Sequence, residues 1–200
     1  KPMVKIGNKP ILSHIIATYE HYGFNEFIFA LGYKGKFIKK FYSKKNKFSK
    51  IKLVDTGKNT MTGGRLLKLK KYFNKDETFM LTYGDGLSAQ NIKKLVNFHK
   101  FHKKIATITA VRPPARFGEL KLEGSKILKF EEKPQVSNSW INGGFFVFNS
   151  KIFDFIKDDR TMLEREPLEK LARLGELAAF KHYGFWQCMD TMRDKNLLNK

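Results

Sequence analysis

The alternation of apolar runs with amphipathic segments constrains this sequence more than any other feature. Apolar runs typical of buried strands cover 26–33 (EFIFALGY), 51–57 (IKLVDTG), the start of 78–88 (TFMLTYGDGLS) and 105–111 (IATITAV). Helical apolar spacing occurs after Pro10 and in 35–44, 63–73 and 89–102, and Gly23 stands where a helix C-cap glycine is expected. This βαβα order predicts a largely parallel sheet with helices on both faces.

The pattern changes after Pro113. Apolar and charged residues alternate through 119–134 on both sides of 123–125 (EGS), which predicts an antiparallel hairpin with one wet face. We then predict a strand at 140–149, helices at 150–156 and 166–175, and a late strand at 176–183. With no internal repeat and no linker, residues 1–200 are predicted to form one α/β domain with a small antiparallel elaboration. Such a length buries about 70% of the unfolded chain's surface.

The formal net charge of +20 leaves three explanations open. Seven of the 39 basic residues are arginines, and the lysines are spread along the whole chain, often on the polar sides of predicted helices. A solvated lysine-rich surface, an anionic small-molecule substrate and a nucleic acid would each fit this composition. Charge alone does not decide between them.

Three features of the sequence predict the cellular compartment. No apolar run approaches the roughly 18 residues of a membrane span, and the opening KPMVKIGNKP lacks the apolar core of a signal peptide. Cys188 is the single cysteine, so an internal disulfide is excluded and a reducing compartment fits. We therefore expect a soluble cytoplasmic protein without a membrane partner.

Two aspartates are the strongest candidates for chemistry. Asp85 follows an apolar strand and stands between Gly84 and Gly86, and ligands of open α/β sheets bind beyond the carboxyl ends of strands. Asp190 follows an aromatic pair in GFWQCMDT. Magnesium in proteins takes one or two carboxylates with substrate phosphates and water, so the pair could hold Mg²⁺. Alternatively, Asp85 satisfies a local turn and Asp190 caps a helix.

Other polar groups suit a phosphorylated sugar. Lys133 could pair with a phosphate and Glu132 could accept from sugar hydroxyls, unless FEEKP is only an exposed strand end. Asn142, Gly143 and Gly144 would let a sugar ring lie against backbone, or mark only a bulge. Gly63 and Gly64 precede a helix whose N–H groups could meet an anion or a base edge, or no ligand at all.

The remaining residues exclude several kinds of catalysis. Zinc-type Cys and His spacing, the Gly-x-Ser-x-Gly elbow, the P-loop and the dinucleotide Gly-x-Gly-x-x-Gly are all absent from the sequence. His99 on an apolar helix face is predicted to belong to the core. His182 and Cys188 have no evident catalytic partner, so covalent catalysis is not supported.

Eight pieces in order resemble the bacterial glucose-1-phosphate cytidylyltransferases, a branch of the sugar-1-phosphate nucleotidyltransferases. The pieces are KPMVKIGNKPIL, LVDTG with MTGGRL, LTYGDG, RFGEL, EEKP, INGGFFV, EPL and GFWQCMDT, and they span nearly the whole chain. The resemblance implies a Rossmann-like nucleotidyltransferase fold with a mostly parallel mixed sheet. It implies the reaction of CTP with α-D-glucose 1-phosphate to CDP-glucose and pyrophosphate, used in lipopolysaccharide O-antigen biosynthesis.

The same resemblance implies roles for individual residues. Asp85 and Asp190 become the Mg²⁺ ligands, and Lys1 would steady the nucleotide α-phosphate. Thr62 and Gly63 would lie by the cytosine. The residues that frame the sugar phosphate would be Phe117, Gly118, Glu132, Lys133, Asn142 and Gly143, with Trp186 closing the sugar side. Lys1 and Lys133 would share in catalysis by offsetting negative charge.

The sequence departs from the family in two places. The glycine-rich nucleotide loop, LAGGxGTRL on the family's first strand, should precede Lys1, and we expect the full protein to contain it. The stretch between Tyr42 and Ile51 is also shorter than in family members. A homo-oligomer is expected by resemblance, and a nucleic-acid partner is not. Transfer from dTTP or UTP, or sugar-nucleotide binding without turnover, remains an alternative.

Overall fold

The computed structural model describes residues 1–43, 50–113, 119–131 and 139–199. Its strands are β1 Lys5–Ile6, β2 Lys9–Pro10, β3 Glu26–Leu31, β4 Lys50–Asp55, β5 Thr78–Thr82, β6 Gly86–Ser88, β7 Ala106–Val111, β8 Glu119–Glu123, β9 Lys126–Glu131, β10 Ile141–Asn149, β11 Leu177–His182 and β12 Trp186–Cys188. Its α-helices are α1 Ile11–His21, α2 Gly35–Tyr42, α3 Thr62–Lys68, α4 Ile92–His102, α5 Glu166–Arg173 and α6 Met192–Leu198, and 3-10 turns cover Lys70–Tyr72 and Ser150–Phe155.

A mixed four-stranded sheet lies at the centre, in the order β11-β7-β10-β5. β11 runs parallel to β7, whereas β10 runs antiparallel to both of its neighbours. The chain reaches β10 after the β8–β9 hairpin, which was predicted from the alternation at 119–134. The predicted α/β fold with a mixed sheet and an antiparallel elaboration is therefore confirmed, but among the described strands of the central sheet only β11 and β7 pair in parallel, so this sheet is less parallel than predicted.

Helices cover both faces of this sheet, as the alternating pattern predicted. Phe145 and Val147 of β10 pack against α1 and α4 in one buried cluster. Phe146 and Phe148 point to the opposite face and pack with α5 and the 3-10 turn at Ser150–Phe155. Because successive side chains of a strand alternate between faces, this fully buried run supplies both cores at once.

A cavity of about 1320 Å³ separates the parallel pair β3–β4 from the central sheet. Consecutive residues of β3 (27–31) and of β5 (78–82) line it. Since alternate side chains of a strand point to opposite faces, a run of consecutive lining residues means that the strand edges face the cavity. Within the described residues, β3 pairs only with β4 and β5 only with β10.

His99 belongs to the core, as predicted. It is 3% exposed, and its Nδ1 lies 2.9 Å from Thr107 Oγ1, while His102 Nε2 lies 2.7 Å from the same hydroxyl. Burial, followed by the neighbouring His102, lowers the pKa of His99 to about 4. Burial also lowers the pKa of His102, so both imidazoles are mainly neutral at pH 7. The Thr107 hydroxyl between them joins α4 to β7.

Two predicted helices are shorter or tighter in the structure. The segment predicted as a helix at 150–156 is a 3-10 turn at Ser150–Phe155. The helix predicted over 63–73 ends at Lys68 and continues as a 3-10 turn at Lys70–Tyr72. The short stretch predicted between Tyr42 and Ile51 falls largely outside the described residues.

Among the helices of the described segments, none has the length and apolar character needed to cross a membrane.

Candidate active site

A short antiparallel ladder between β6 and β12 brings two distant aspartates together. Gly86 pairs with Cys188, so Asp85 and Asp190 leave the ladder at the same end. A backbone hydrogen bond of 2.8 Å from the Met189 N–H to the Asp85 carbonyl holds the two chain segments side by side at this end. The ladder therefore places the two carboxylates in one neighbourhood, as their assignment to one site requires.

Lys1 lies between these carboxylates. Its Nζ is 2.5 Å from Asp190 Oδ1 and 3.6 Å from Asp85 Oδ2. The pKa of Lys1 is raised, chiefly because its ammonium donates a hydrogen bond to Asp190, and the Asp85 charge adds to this. The same hydrogen bond lowers the pKa of the Asp190 carboxyl. One ammonium between two carboxylates leaves a net negative charge, which favours a further cation.

The capping alternative for Asp190 does not match the structure. The N-cap of α6 is Thr191, whose hydroxyl accepts from the Asp194 N–H while the Asp194 carboxylate accepts from the Thr191 N–H. This capping box satisfies the helix start by itself. The Asp190 side chain instead bonds Lys1 and lies 3.5 Å from Cys188 Sγ.

A pocket of about 340 Å³ opens beside the two aspartates. It is lined by Tyr83, Asp85, Gly86, Ile141, Asn142, Gly143, Gly144, Trp186, Cys188 and Asp190. Six residues predicted from sequence thus share one pocket: both aspartates and the sugar-side residues Asn142, Gly143, Gly144 and Trp186. The other predicted sugar-side residues, Phe117, Gly118, Glu132 and Lys133, lie outside the described residues.

The wall of this pocket depends on two glycines of β10. Trp186 Nε1 donates a 2.7 Å hydrogen bond to the Gly143 carbonyl, which fixes the indole against the strand. A Cβ on Gly143 would lie 2.9 Å from the Thr109 carbonyl oxygen. Gly144 has φ +75°, and a Cβ there would lie 2.7 Å from the Tyr83 ring. The pairing of β10 with β7 shifts register between Asn142 and Phe146 of β10, so the bulge alternative is also present.

Thr62 and Gly63 lie at the start of α3, where their hydrogen bonds are made within the chain. The Gly63 N–H donates to the Thr161 carbonyl over 3.0 Å, and the Gly64 N–H donates to the same oxygen over 3.2 Å. Thr62 lines the large cavity, which also reaches Tyr83, Asp85 and Asn142. The two cavities therefore meet at these three residues, although the assignment of Thr62 and Gly63 to the base remains a prediction.

Tyr83 and Glu164 belong to the site, and the sequence analysis missed them. The Tyr83 hydroxyl donates to Glu164 Oε1 over 2.5 Å, and burial raises the pKa of this phenol. The position of Tyr83 two residues before Asp85 could have signalled its role. Glu164 carries no local signal, because its partners lie 81 and 102 positions away in the sequence.

Cys188 lines the pocket as a thiol. Burial, and next the negative charge of Asp190, raise its pKa to about 11. A thiol with this pKa is protonated at neutral pH and is a poor nucleophile. The expectation that the site does not use covalent catalysis is consistent with this environment.

The carboxylates supply suitable ligands for a hard cation. The described residues hold no group of three or more His, Cys, Asp or Glu side chains that could bind a metal without further ligands. Two carboxylates that already surround one ammonium fit an ion whose remaining ligands are phosphate and water, as is usual for Mg²⁺. Nucleotidyltransferases generally use a divalent metal.

The fold and the pocket define a class of protein. Ligands of open α/β sheets bind beyond the carboxyl ends of the strands, and Asp85 in this pocket follows the carboxyl end of β5. The sequence matches the profile of the nucleotidyl transferase family over residues 1–186. The chain belongs to the nucleotidyl transferase family.

The sequence is also similar to individual nucleotidyltransferases. The chain is 45% identical to a glucose-1-phosphate cytidylyltransferase of Salmonella typhi, over 98% of this chain and 84% of that protein. It is 43% identical to a probable glucose-1-phosphate cytidylyltransferase of Bacillus subtilis, over 100% of this chain and 87% of that one. A mannose-1-phosphate guanylyltransferase catalytic subunit beta of Dictyostelium discoideum is 31% identical and is covered over 57% of its length.

Solved structures share the fold. HddC from Yersinia pseudotuberculosis superposes with a TM-score of 0.78 at 24% identity, covering 99% of this chain and 88% of that one. A UDP-glucose pyrophosphorylase in complex with UDP-glucose gives a TM-score of 0.73 at 14% identity, covering 100% of this chain and 88% of that one. The Rossmann-like nucleotidyltransferase fold predicted from the sequence is thereby confirmed.

Proposed function

We propose that this protein transfers the cytidylyl group of CTP to α-D-glucose 1-phosphate, giving CDP-glucose and pyrophosphate. The cytidylyltransferases that it resembles at 43–45% identity act on glucose 1-phosphate by their names. The observation that carries the proposal is the contact of Lys1 with both Asp85 and Asp190 at the mouth of a pocket. This arrangement suits an anionic nucleotide and an anionic sugar at one point.

The proposed reaction is an in-line displacement. A phosphate oxygen of glucose 1-phosphate forms a bond to the α-phosphorus of CTP, and the bond from that phosphorus to the β-phosphate oxygen breaks. The attacking oxygen is already ionised at neutral pH, so no general base is needed. Positioning and charge compensation then supply most of the rate enhancement. Lys1 would hold the α-phosphate, and Lys133 would hold the sugar phosphate.

Asp85 and Asp190 would hold Mg²⁺ in this proposal. When bound, the ion would neutralise charge on the nucleotide phosphates and on the departing pyrophosphate. The two carboxylates fix its place at the end of the β6–β12 ladder. Lys1 would exchange part of its contact with Asp190 for the α-phosphate.

The sugar would lie against the β10 wall. Asn142, Gly143 and Trp186 line the pocket, and a ring placed there would lie close to the backbone of the two glycines. By resemblance, Phe117 and Gly118 would cover the ring and Glu132 would accept from its hydroxyls. Thr62 and Gly63 would lie beside the cytosine at the start of α3.

A glycine-rich segment ahead of Lys1 completes the proposal. We propose that its strand occupies the cavity between β3 and β5, whose edges both face that space. Pro2 lines the cavity, and its Cγ would lie 3.0 Å from a Cβ on Gly84, the second residue after β5. Lys1 therefore stands beside the carboxyl end of β5. A strand there would join β3–β4 to the central sheet and deliver its loop to Lys1 and Asp85.

Assembly into homo-oligomers through the β8–β9 hairpin is a further part of the proposal. The hairpin exposes Leu120, Leu122, Ile127, Leu128 and Phe130, each between 47% and 61%. Contiguous exposed apolar surface marks interaction sites. Light scattering of Phe130→Glu should give a lower mass than the unchanged protein, and equal masses would contradict this interface.

Nucleotide choice tests the function directly. We expect pyrophosphate release with glucose 1-phosphate and CTP, at a kcat/KM about tenfold or more above that with UTP or dTTP. A preference for UTP or dTTP would support the runner-up specificity instead. Tight binding of CDP-glucose without any release of pyrophosphate would support a non-catalytic member.

Detection of the protein outside the cytoplasmic fraction of its cells would contradict the predicted location.

A further inference from the structure

A half-buried carboxylate links the two cavities of the site. Glu164 Oε2 accepts from the Thr62 hydroxyl over 2.6 Å, and Glu164 Oε1 accepts from the Tyr83 hydroxyl over 2.5 Å. Thr62 starts α3, whereas Tyr83 directly follows β5 and lies two residues before Asp85. One side chain therefore joins the start of α3, which the proposed function assigns to the nucleotide, to Tyr83, which lines the pocket proposed for the sugar.

The segment that carries Glu164 is itself fixed to α3. The Met61 N–H donates to the Asp159 carbonyl over 2.9 Å, and the Leu163 N–H donates to the Thr62 hydroxyl over 2.9 Å. A Cβ on Gly64 would lie 2.5 Å from the Asp159 carbonyl oxygen, so the helix and the segment are in close backbone contact. Glu164 thus moves with the start of α3.

The other side of the link reaches the sugar pocket. The Tyr83 ring packs on Gly144, and the Tyr83 N–H donates to the Gly144 carbonyl over 3.0 Å. The Gly144 N–H in turn donates to Asn142 Oδ1 over 2.8 Å. A shift of the Tyr83 side chain would therefore also shift Asn142 and Asp85.

We propose that Glu164 is a positioning residue that holds the nucleotide side and the sugar side of the site in register through the Thr62 and Tyr83 hydroxyls. The inference rests on the proposed function. A carboxylate suits this task because each of its oxygens can accept from one hydroxyl at the same time. This positioning role does not require Glu164 to contact either substrate.

Glu164→Gln tests the link with little change of shape. The amide offers one acceptor oxygen and one donor nitrogen, so one of the two hydroxyls loses its acceptor. We expect the KM values for CTP and for glucose 1-phosphate both to rise by about tenfold, with the unfolding temperature nearly unchanged. Glu169→Gln, on the exposed side of α5, is the matched control and should behave like the unchanged protein.

A double-mutant cycle keeps the test valid if Glu164→Gln fails to fold. Thr62→Val and Tyr83→Phe each remove one hydroxyl at constant shape. Because both hydroxyls act through one carboxylate, the double variant should lose about fivefold less kcat/KM than the product of the single losses. Losses that simply multiply would overturn the inference.

The outcomes separate this inference from the proposed function. If the unchanged protein transfers no cytidylyl group, the proposed function fails and the inference fails with it. If the unchanged protein is active and Glu164→Gln matches Glu169→Gln in both KM values, only the inference is overturned. A loss of stability with both KM values unchanged would show that Glu164 only stabilises the fold, which would also overturn the inference.

Discussion

At the residue scale, the packing of Gly143 makes a prediction about the sugar side. In Gly143→Ala the new Cβ would meet the Thr109 carbonyl at 2.9 Å and Val111 Cγ1 at 3.0 Å. The strand must shift, which carries the Trp186 indole with it, so we expect a higher KM for glucose 1-phosphate. Overpacking of this kind costs about 1–3 kcal/mol in the free energy of unfolding.

Urea unfolding and steady-state kinetics check this prediction. Gly86→Ala is a control for stability, because nothing lies within 4 Å of a Cβ at Gly86. An unchanged KM for glucose 1-phosphate in Gly143→Ala would show that the sugar does not depend on this wall.

Individual residues also show what sequence could and could not reveal. Asp85 was predictable because a charge directly after an apolar strand marks the carboxyl edge of a sheet. Its proximity to Asp190 depends on the pairing of Gly86 with Cys188, and no local pattern encodes a contact over that separation. The Glu164 link was invisible for the same reason.

At the element scale, the junction of α4 and β7 predicts a dependence of stability on pH. His99 has a folded pKa of about 4, below the usual value of about 6.5. Its neutral form contributes fully to stability above pH 6.5, and this contribution is lost as the pH falls towards 4, because the unfolded chain binds the proton first. The loss amounts to roughly 3 kcal/mol at most.

Chemical unfolding at about pH 7.5 and about pH 5 measures this effect. We expect the unchanged protein to be less stable at the lower pH. His99→Gln, which cannot titrate, should show a smaller difference between the two pH values. An equal difference in both proteins would place the acid sensitivity elsewhere.

Elements differ in how well periodicity predicts them. The strands at β3, β5, β7 and β10 were predictable because their apolar runs are continuous and long. The three-residue strands β6 and β12 were not, since their pairing is set by distant contacts. The segment at 150–156 has apolar residues at spacings shared by α and 3-10 turns, so the sequence could not separate the two.

At the scale of the whole molecule, the cavity between β3 and β5 predicts a change in protection. If a glycine-rich strand precedes Lys1, hydrogen exchange at the backbone amides of β3 and β5 should be slow in protein that carries it. Removal of that strand should speed exchange at both edges, because their amides would then lack partners. Equal exchange in the two proteins would contradict this placement.

The net charge of +20 is also a property of the whole molecule, since the lysines that produce it are spread along the chain. The prediction that no nucleic acid binds is tested by retention on DNA across a salt series. Retention with a steep salt dependence that persists at physiological salt would contradict it.

The convergence of Asp85 and Asp190 on one cation is the central claim. Its most direct measurement is Mg²⁺-dependent pyrophosphate release from CTP and glucose 1-phosphate by Asp85→Asn and Asp190→Asn, with the exposed Asp154→Asn as control. We expect each site variant to lose about a hundredfold or more in kcat, with the fold retained and the control unaffected. Full turnover by either site variant, with the same magnesium requirement, would contradict the claim.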